Sequence, residues 1–130
     1  MLKKFLPLVF LPLVLAGCST PFIVTNLTPL QQARTTNNLY TVEAAVGSRQ
    51  ETLRWGSIRP QIKIGAEYYK MLPTLLMTNR FEGTIPVPPG ATSVRYRYKF
   101  DFDYNSWGKG RPDSALSPEY TLRIYEPPKE

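Results

Sequence analysis

Residues 94–104 alternate between large apolar or aromatic side chains and charged ones. Successive side chains on a strand point to opposite faces, so one face would hold Val94, Tyr96, Tyr98, Phe100, Phe102 and Tyr104. The other face would hold only charged residues, namely Arg95, Arg97, Lys99, Asp101 and Asp103. A helix would scatter both sets around its circumference. The pattern therefore predicts a half-buried strand of an antiparallel sheet, with one face on a core and one face in water.

Short runs of β-branched and aromatic residues, separated by turn-forming residues, make up most of the remaining chain. The predicted strands are Phe22–Leu27, Leu39–Val46, Ile58–Ile64, Glu67–Met71, Phe81–Val87 and Tyr120–Ile124, in addition to 94–104. About seven short strands with frequent turn signals are typical of an all-β sandwich. We expect a single antiparallel β-sandwich over residues 22–126, with a small up-and-down barrel as the alternative. Its strand order and lengths resemble an immunoglobulin-like domain that lacks the Cys–Trp–Cys core.

Two segments interrupt this regular pattern. Residues 72–79 contain Pro73 and then Leu75, Leu76 and Met77, and are compatible with either an extra short strand or an apolar loop. Residues 105–118 are rich in glycine, serine and proline, and are predicted to form a long loop before the last strand.

The N-terminus has the pattern of a secretory signal. Lys3 and Lys4 precede an almost unbroken apolar run from Phe5 to Leu15, which is too short to span a bilayer. The run ends in Leu15-Ala16-Gly17-Cys18, which contains the only cysteine of the chain. This segment resembles the lipobox of bacterial lipoproteins; an ordinary signal peptide followed by a chance cysteine is the alternative.

The lipobox resemblance implies cleavage before Cys18 and acylation of that residue. Residues 1–17 would then be the signal peptide, 18–21 a lipidated tether, 22–126 the folded domain and 127–130 a frayed tail. Several acyl chains on one residue are enough for stable membrane anchoring. Ser19, rather than aspartate, follows the cysteine, which is similar to the outer-membrane sorting pattern of Gram-negative lipoproteins. Whether the domain faces the periplasm or the cell surface is left open.

The charge balance fits a protein held beside a membrane. The formal net charge is +6, and removal of Lys3 and Lys4 lowers it by two. A modest positive charge suits an anionic membrane surface. Because the basic residues are interleaved with acids, the sequence does not predict a nucleic-acid partner.

The sequence favours a non-catalytic protein. It contains no histidine, which removes the commonest general base and the commonest metal ligand. Asp101, Asp103 and Asn105 have the spacing that opens a calcium loop, but Ser106 and Pro112 stand where that loop needs glycine and glutamate. We therefore expect the acids to belong to a solvated strand face, paired with its basic residues. No metal and no cofactor are predicted, apart from the covalent lipid on Cys18.

Aromatic residues provide two candidate contact sites. Tyr96, Tyr98 and Tyr104 could form a platform for sugars, although strict alternation favours the core. Trp55 and Trp107 lie in two connections that meet at one end of an immunoglobulin-like sandwich. The predicted binding tip there comprises Trp55, Trp107, Arg49, Arg54, Lys109 and Arg111, facing the membrane or a partner on it. Alternatively, each tryptophan caps an end of the core.

These features predict a lipid-anchored, non-catalytic module of the cell envelope, with a structural or protein-interaction role. Its expected contacts are membrane lipid through Cys18 and an envelope protein whose identity the sequence does not specify. A glycan-binding module of the envelope or cell surface is the alternative function.

Overall fold

The computed structural model describes residues 22–128. The predicted signal peptide and the tether with Cys18 lie outside the described residues, as do residues 129–130 of the predicted tail. No helix in the described part of the chain is long and apolar enough to cross a membrane.

The described residues form almost entirely β structure, which confirms the all-β prediction. They contain ten strands: β1 Phe22–Asn26, β2 Gln31–Ala33, β3 Leu39–Ser48, β4 Arg59–Ile64, β5 Glu67–Lys70, β6 Leu72–Pro73, β7 Arg80–Pro86, β8 Ser93–Ser106, β9 Lys109–Leu116 and β10 Tyr120–Tyr125. One sheet has the strand order β1-β3-β7-β6. The other has the order β2-β10-β8-β4-β5, and β9 pairs with β8.

Strand β8 is the centre of the fold, and its predicted register is confirmed. Tyr96, Tyr98, Phe100, Phe102 and Tyr104 are buried, whereas the charged residues between them are not. One edge of β8 pairs with β4, and the other edge pairs first with β10 and then with β9. The strand has 14 residues and is therefore about 40 Å long.

Aromatic contacts from β1 and β7 join the two sheets through the buried face of β8. The Phe22 ring stacks on Phe102 with ring centroids 4.2 Å apart. Phe81 meets Phe100 edge-on at 6.0 Å. The core therefore lies between the four-stranded sheet and β8.

Three predictions about the strands are wrong. The described chain has ten strands rather than about seven, and β2 pairs in parallel with β10, so the pairing is not wholly antiparallel. The expected loop at 105–118 contains β9, which forms a hairpin with β8. For residues 72–79, the sequence was compatible with a strand or a loop. Only Leu72–Pro73 is a strand, and the rest of the segment is a loop. The sequence pattern missed β2 and β9 because neither has an alternating apolar face.

Candidate functional site

The start of β1, the end of β3 and the start of β7 lie at one end of the molecule. Phe22 pairs with Ser48, and Arg80 pairs with Ala45. Since Phe22 stacks on Phe102, this is also the end at which β8 finishes. We call it the tether end, because the described chain begins there. Three connections lie at it: residues 49–58 between β3 and β4, 74–79 between β6 and β7, and 107–108 between β8 and β9.

The 49–58 connection is bound tightly to the end of β8. The Arg54 N–H donates to the Asp103 carbonyl at 2.9 Å, and the Asn105 N–H donates to the Thr52 carbonyl at 2.9 Å. The Asp103 N–H donates to Ser57 Oγ at 2.8 Å. These bonds hold Trp55, in a single 3-10 turn at Trp55–Ser57, close to the last residues of β8. Trp55 is 45% exposed.

Arg54 joins the 49–58 connection to both strands of the β8–β9 hairpin. Its Nε donates to Asn105 Oδ1. Asn105 pairs with Gly110 of β9, and a Cβ atom on Gly110 would lie 3.1 Å from Arg54 Nη1. Arg54 therefore lies across the hairpin, and glycine at 110 leaves room for its guanidinium.

Trp107 occupies the turn of the β8–β9 hairpin and is 99% exposed. Ser106 pairs with Lys109, so Trp107 and Gly108 form a two-residue turn. Both have left-handed backbone, with φ of 51° for Trp107 and 80° for Gly108. Asn-Gly is the preferred sequence for such a turn, because a bulky side chain is strained there. The structure thus presents a tryptophan to solvent at a position where the backbone favours asparagine.

The 74–79 connection presents a second group of exposed apolar residues. The Met77 N–H donates to the Thr74 carbonyl at 3.0 Å, which makes Leu75 and Leu76 the central residues of a β-turn. Leu75 is 84% exposed and Leu76 is 95% exposed. Leu76 has a φ of 65°, at a turn position that normally takes glycine or asparagine.

The structure brings together most of the residues predicted for the tip. Trp107, Lys109 and Arg111 lie on one hairpin, Arg54 lies across it, and Trp55 follows Arg54 in the chain. Arg49 is exposed at the other end of the same connection as Trp55. That these residues form a binding surface remains a prediction. The sequence did not assign Leu75, Leu76 and Met77 to the tip, although three consecutive large apolar residues after a proline were a usable signal.

A polar cavity lies beside the hairpin. Its volume is about 480 Å³, and its walls include Gln50, Thr52, Tyr104, Asn105, Arg111 and Asp113. Burial, together with the nearby Asp113 carboxylate, raises the pKa of Tyr104. The cavity places the Tyr104 phenol beside the Arg111 and Asp113 side chains.

The acids considered for calcium have basic partners. Asp101 contacts Lys99 Nζ at 2.8 Å, and Asp103 lies 3.8 Å from Arg59. Asn105 accepts from Arg54. Within residues 22–128, no group of three or more histidine, cysteine, aspartate or glutamate side chains is arranged to hold a metal ion.

The three tyrosines considered as a sugar platform are buried. Tyr98 Oη donates to Asn26 Oδ1 at 2.6 Å and lies 3.0 Å from Thr28 Oγ1. The Asn26 amide donates to Tyr96 Oη at 2.9 Å. These hydroxyls tie β8 to the end of β1 and to Thr28 just after it, so Tyr96 and Tyr98 are core residues with satisfied polar atoms.

Comparison with known proteins does not assign the chain to a family. No family model and no curated protein matches it. One similar solved structure is a DUF4785 family protein from Legionella pneumophila subsp. pneumophila, with a TM-score of 0.44 and 10% sequence identity. The match covers 79% of this chain and 28% of that protein.

Proposed function

We propose that this protein is a lipid-anchored, non-catalytic lipoprotein of the cell envelope with a structural or protein-interaction role. The observation that supports this most directly is the motif Leu15-Ala16-Gly17-Cys18, which ends a basic and then apolar N-terminus and contains the only cysteine. The motif resembles a lipobox, and acylation of Cys18 would provide a stable anchor. Ser19 favours the outer membrane over the inner membrane as its destination.

The proposal extends to an immunoglobulin-like arrangement of the two sheets. The order β1-β3-β7-β6 corresponds to strands A-B-E-D of such domains, and β5-β4-β8 followed by β9 and β10 corresponds to C′-C-F-G. The short parallel pairing of β2 with β10 completes the second sheet. Immunoglobulin-like domains commonly serve as interaction modules, although the fold alone does not identify a partner.

Metabolic labelling tests the anchoring. Cells that make the wild-type protein are expected to incorporate labelled palmitate into it, whereas Cys18→Ser should abolish incorporation and leave a larger, unprocessed precursor. Label that still enters the Cys18→Ser protein would refute the assignment. Crosslinking of the wild-type protein in intact cells then tests for an envelope protein partner.

Glycan binding is a second candidate function, supported by the cavity beside the β8–β9 hairpin, whose turn holds Trp107. Tyr104, Asn105, Arg111 and Asp113 supply hydrogen-bonding groups, and an exposed tryptophan nearby could stack on a sugar ring. A glycan array with envelope polysaccharides and peptidoglycan fragments tests this. Binding that is lost in Arg111→Ala would support the glycan role, and the absence of any bound glycan would exclude it.

A further inference from the structure

The most exposed large apolar side chains of the described domain all lie at the tether end. Only Leu75, Leu76 and Trp107 exceed 80% exposure among the large hydrophobic residues of the described part of the chain. The next most exposed, Leu30, is 75% exposed, and its carbonyl accepts from the Arg123 N–H near the opposite end of β8. Exposed apolar groups gathered at one end of a domain are typical of contact surfaces, so the tether end is a candidate contact surface.

Backbone conformation provides an independent observation about the same residues. Among the described residues, Asn38, Leu76 and Trp107 are the non-glycine residues with positive φ. Asparagine tolerates this conformation, whereas bulky residues such as leucine and tryptophan adopt it at a cost in backbone strain. Strained backbone tends to persist at functional sites. Two turns at one end thus keep large apolar residues where asparagine or glycine would fit the backbone better.

Chain connectivity and charge both suggest what covers this surface. Phe22 begins at the tether end, four residues after Cys18, and four residues reach at most about 14 Å. An acylated Cys18 would therefore hold this end, and not the far end of β8, next to the bilayer. Lys109 and Arg111 follow Trp107 on β9. No ion pair within residues 22–128 involves Arg49, Lys109 or Arg111.

We propose that the turns containing Trp107 and Leu75–Met77 insert into the headgroup region of an anionic bilayer, as a second, non-covalent membrane contact. The inference rests on the proposed lipid anchor at Cys18. Tryptophan favours the membrane interface, leucine favours the acyl boundary, and basic residues beside them are attracted to anionic headgroups. Glu51 and Asp113 lie at the same end and offset part of the basic charge, so the insertion depends on the apolar side chains as well as on charge. The two contacts together would hold the domain upright, with the start of β8 pointing away from the membrane.

Quenching by brominated lipids tests the insertion in the mature, acylated protein. The protein is reconstituted in phosphatidylethanolamine–phosphatidylglycerol vesicles, with Trp55→Phe so that Trp107 is the sole reporter. We expect bromine on the upper acyl chain to quench more than half of the Trp107 emission. A matched reporter at the far end, Leu30→Trp with Trp55→Phe and Trp107→Phe, keeps an apolar side chain at position 107 and should lose less than a tenth. Leu75→Ser with Leu76→Ser should weaken the quenching of Trp107 at least twofold while the unfolding temperature is retained.

The outcomes separate this inference from the anchor on which it depends. A protein that floats with the vesicles but shows no quenching of Trp107 would overturn the insertion and leave the anchor intact. Equal quenching of the Leu30→Trp reporter would also overturn it, because the domain would then lie flat. A protein that is not acylated at Cys18 would refute the proposed function itself. Unquenched Trp107 whose emission shifts on addition of peptidoglycan fragments would assign the surface to a glycan instead.

Discussion

Tyr98 shows how single residues in this protein combine burial with polar contacts. Its ring lies in the core, and its hydroxyl bonds to Asn26 and lies against Thr28 and the Glu43 carbonyl. Burial raises the pKa of Tyr98 well above its ordinary value of 10.0, because the ionised phenolate would lose its solvation. The neutral hydroxyl, by contrast, has its hydrogen-bond partners within the fold.

The raised pKa of Tyr98 predicts a loss of stability at alkaline pH. Below pH 10 the side chain is protonated in both the folded and unfolded states; above it, the unfolded state releases the proton first, so the free energy of unfolding falls as pH rises. Each such tyrosine contributes a slope of up to about 1.4 kcal/mol per pH unit. Tyr98→Phe should make the decline between pH 9 and 11 shallower in urea melts, and cost about 1–3 kcal/mol at pH 7 through the lost hydrogen bonds.

Other tyrosines bear on the test of Tyr98, because two of them should add to the alkaline loss of stability and one serves as a control. The pKa values of Tyr104 and Tyr120 are also raised by burial, so part of the alkaline decline should remain in Tyr98→Phe. Tyr125→Phe, which changes an exposed tyrosine, should leave the decline as it is in the wild type. An unchanged pH dependence in Tyr98→Phe would show that this hydroxyl does not contribute.

The two faces of β8 predict very different costs for neighbouring substitutions. Phe100 is fully buried against Phe22 and Phe81, so Phe100→Ala should cost about 3–5 kcal/mol. Lys99 is partly exposed and pairs with Asp101 in solvent, so Lys99→Ala should cost no more than about 0.5 kcal/mol. Urea unfolding of both variants measures the difference, and similar losses would contradict the register of β8.

Trp107 and Leu76 have positive φ, so each is expected to lower the stability of the fold while exposing an apolar side chain. Trp107→Asn and Leu76→Asn should each raise the free energy of unfolding by about 1 kcal/mol, because asparagine tolerates positive φ. Leu30→Asn, which also replaces an exposed leucine but not at positive φ, should change it little. Thermal and urea melts give the comparison. Lower stability in both Trp107→Asn and Leu76→Asn would mean that these side chains support the fold rather than a contact.

At the scale of elements, β9 and β10 act as one interrupted partner of β8. The break between them is filled by Ser117, whose N–H donates to the Tyr98 carbonyl at 2.9 Å. The Tyr98 N–H in turn donates to Ser117 Oγ at 2.8 Å. A buried serine thus replaces the missing rung of the ladder, and β8 keeps its bonds where the neighbouring strand changes.

Ser117 should therefore contribute more to the free energy of unfolding than its small side chain suggests. Ser117→Ala leaves the buried Tyr98 N–H without an acceptor, and the expected cost is about 1–3 kcal/mol. Ser114→Ala, an exposed position on β9, should change stability by less than about 0.5 kcal/mol. Equilibrium unfolding of the pair, with hydrogen exchange at Tyr98, checks this. A fully protected Tyr98 amide in Ser117→Ala would contradict the assigned acceptor.

The elements also show what the sequence could and could not predict. The burial of β8 followed from its alternation, because a two-residue period admits only one inward face. Strand β9 was missed because all but Ala115 of Lys109–Leu116 is exposed, so no hydrophobic period marks it. Strand β2 depends on its pairing with β10 across about 90 residues of chain, which no local pattern encodes. The sequence shows the apolar residues at 75–77, but their exposure depends on the β6–β7 hairpin that forms only in the fold.

At the scale of the whole molecule, the start of the described chain and its most exposed apolar side chains lie at the same end. Phe22, the first described residue, lies at the end where Trp107, Leu75 and Leu76 are exposed. The opposite end of β8, about 40 Å away, is where β10 and β2 lie. A lipid on Cys18 would thus orient the long axis of β8 away from the bilayer.

Intact-mass spectrometry of the protein purified from membranes tests the anchor most directly. We expect a chain that begins at Cys18 and has the mass of residues 18–130 plus a diacylglyceryl group and an amide-linked acyl chain, with fragmentation placing all of the added mass on Cys18. A chain that retains residues 1–17, begins elsewhere, or has a free thiol at Cys18 would contradict the account.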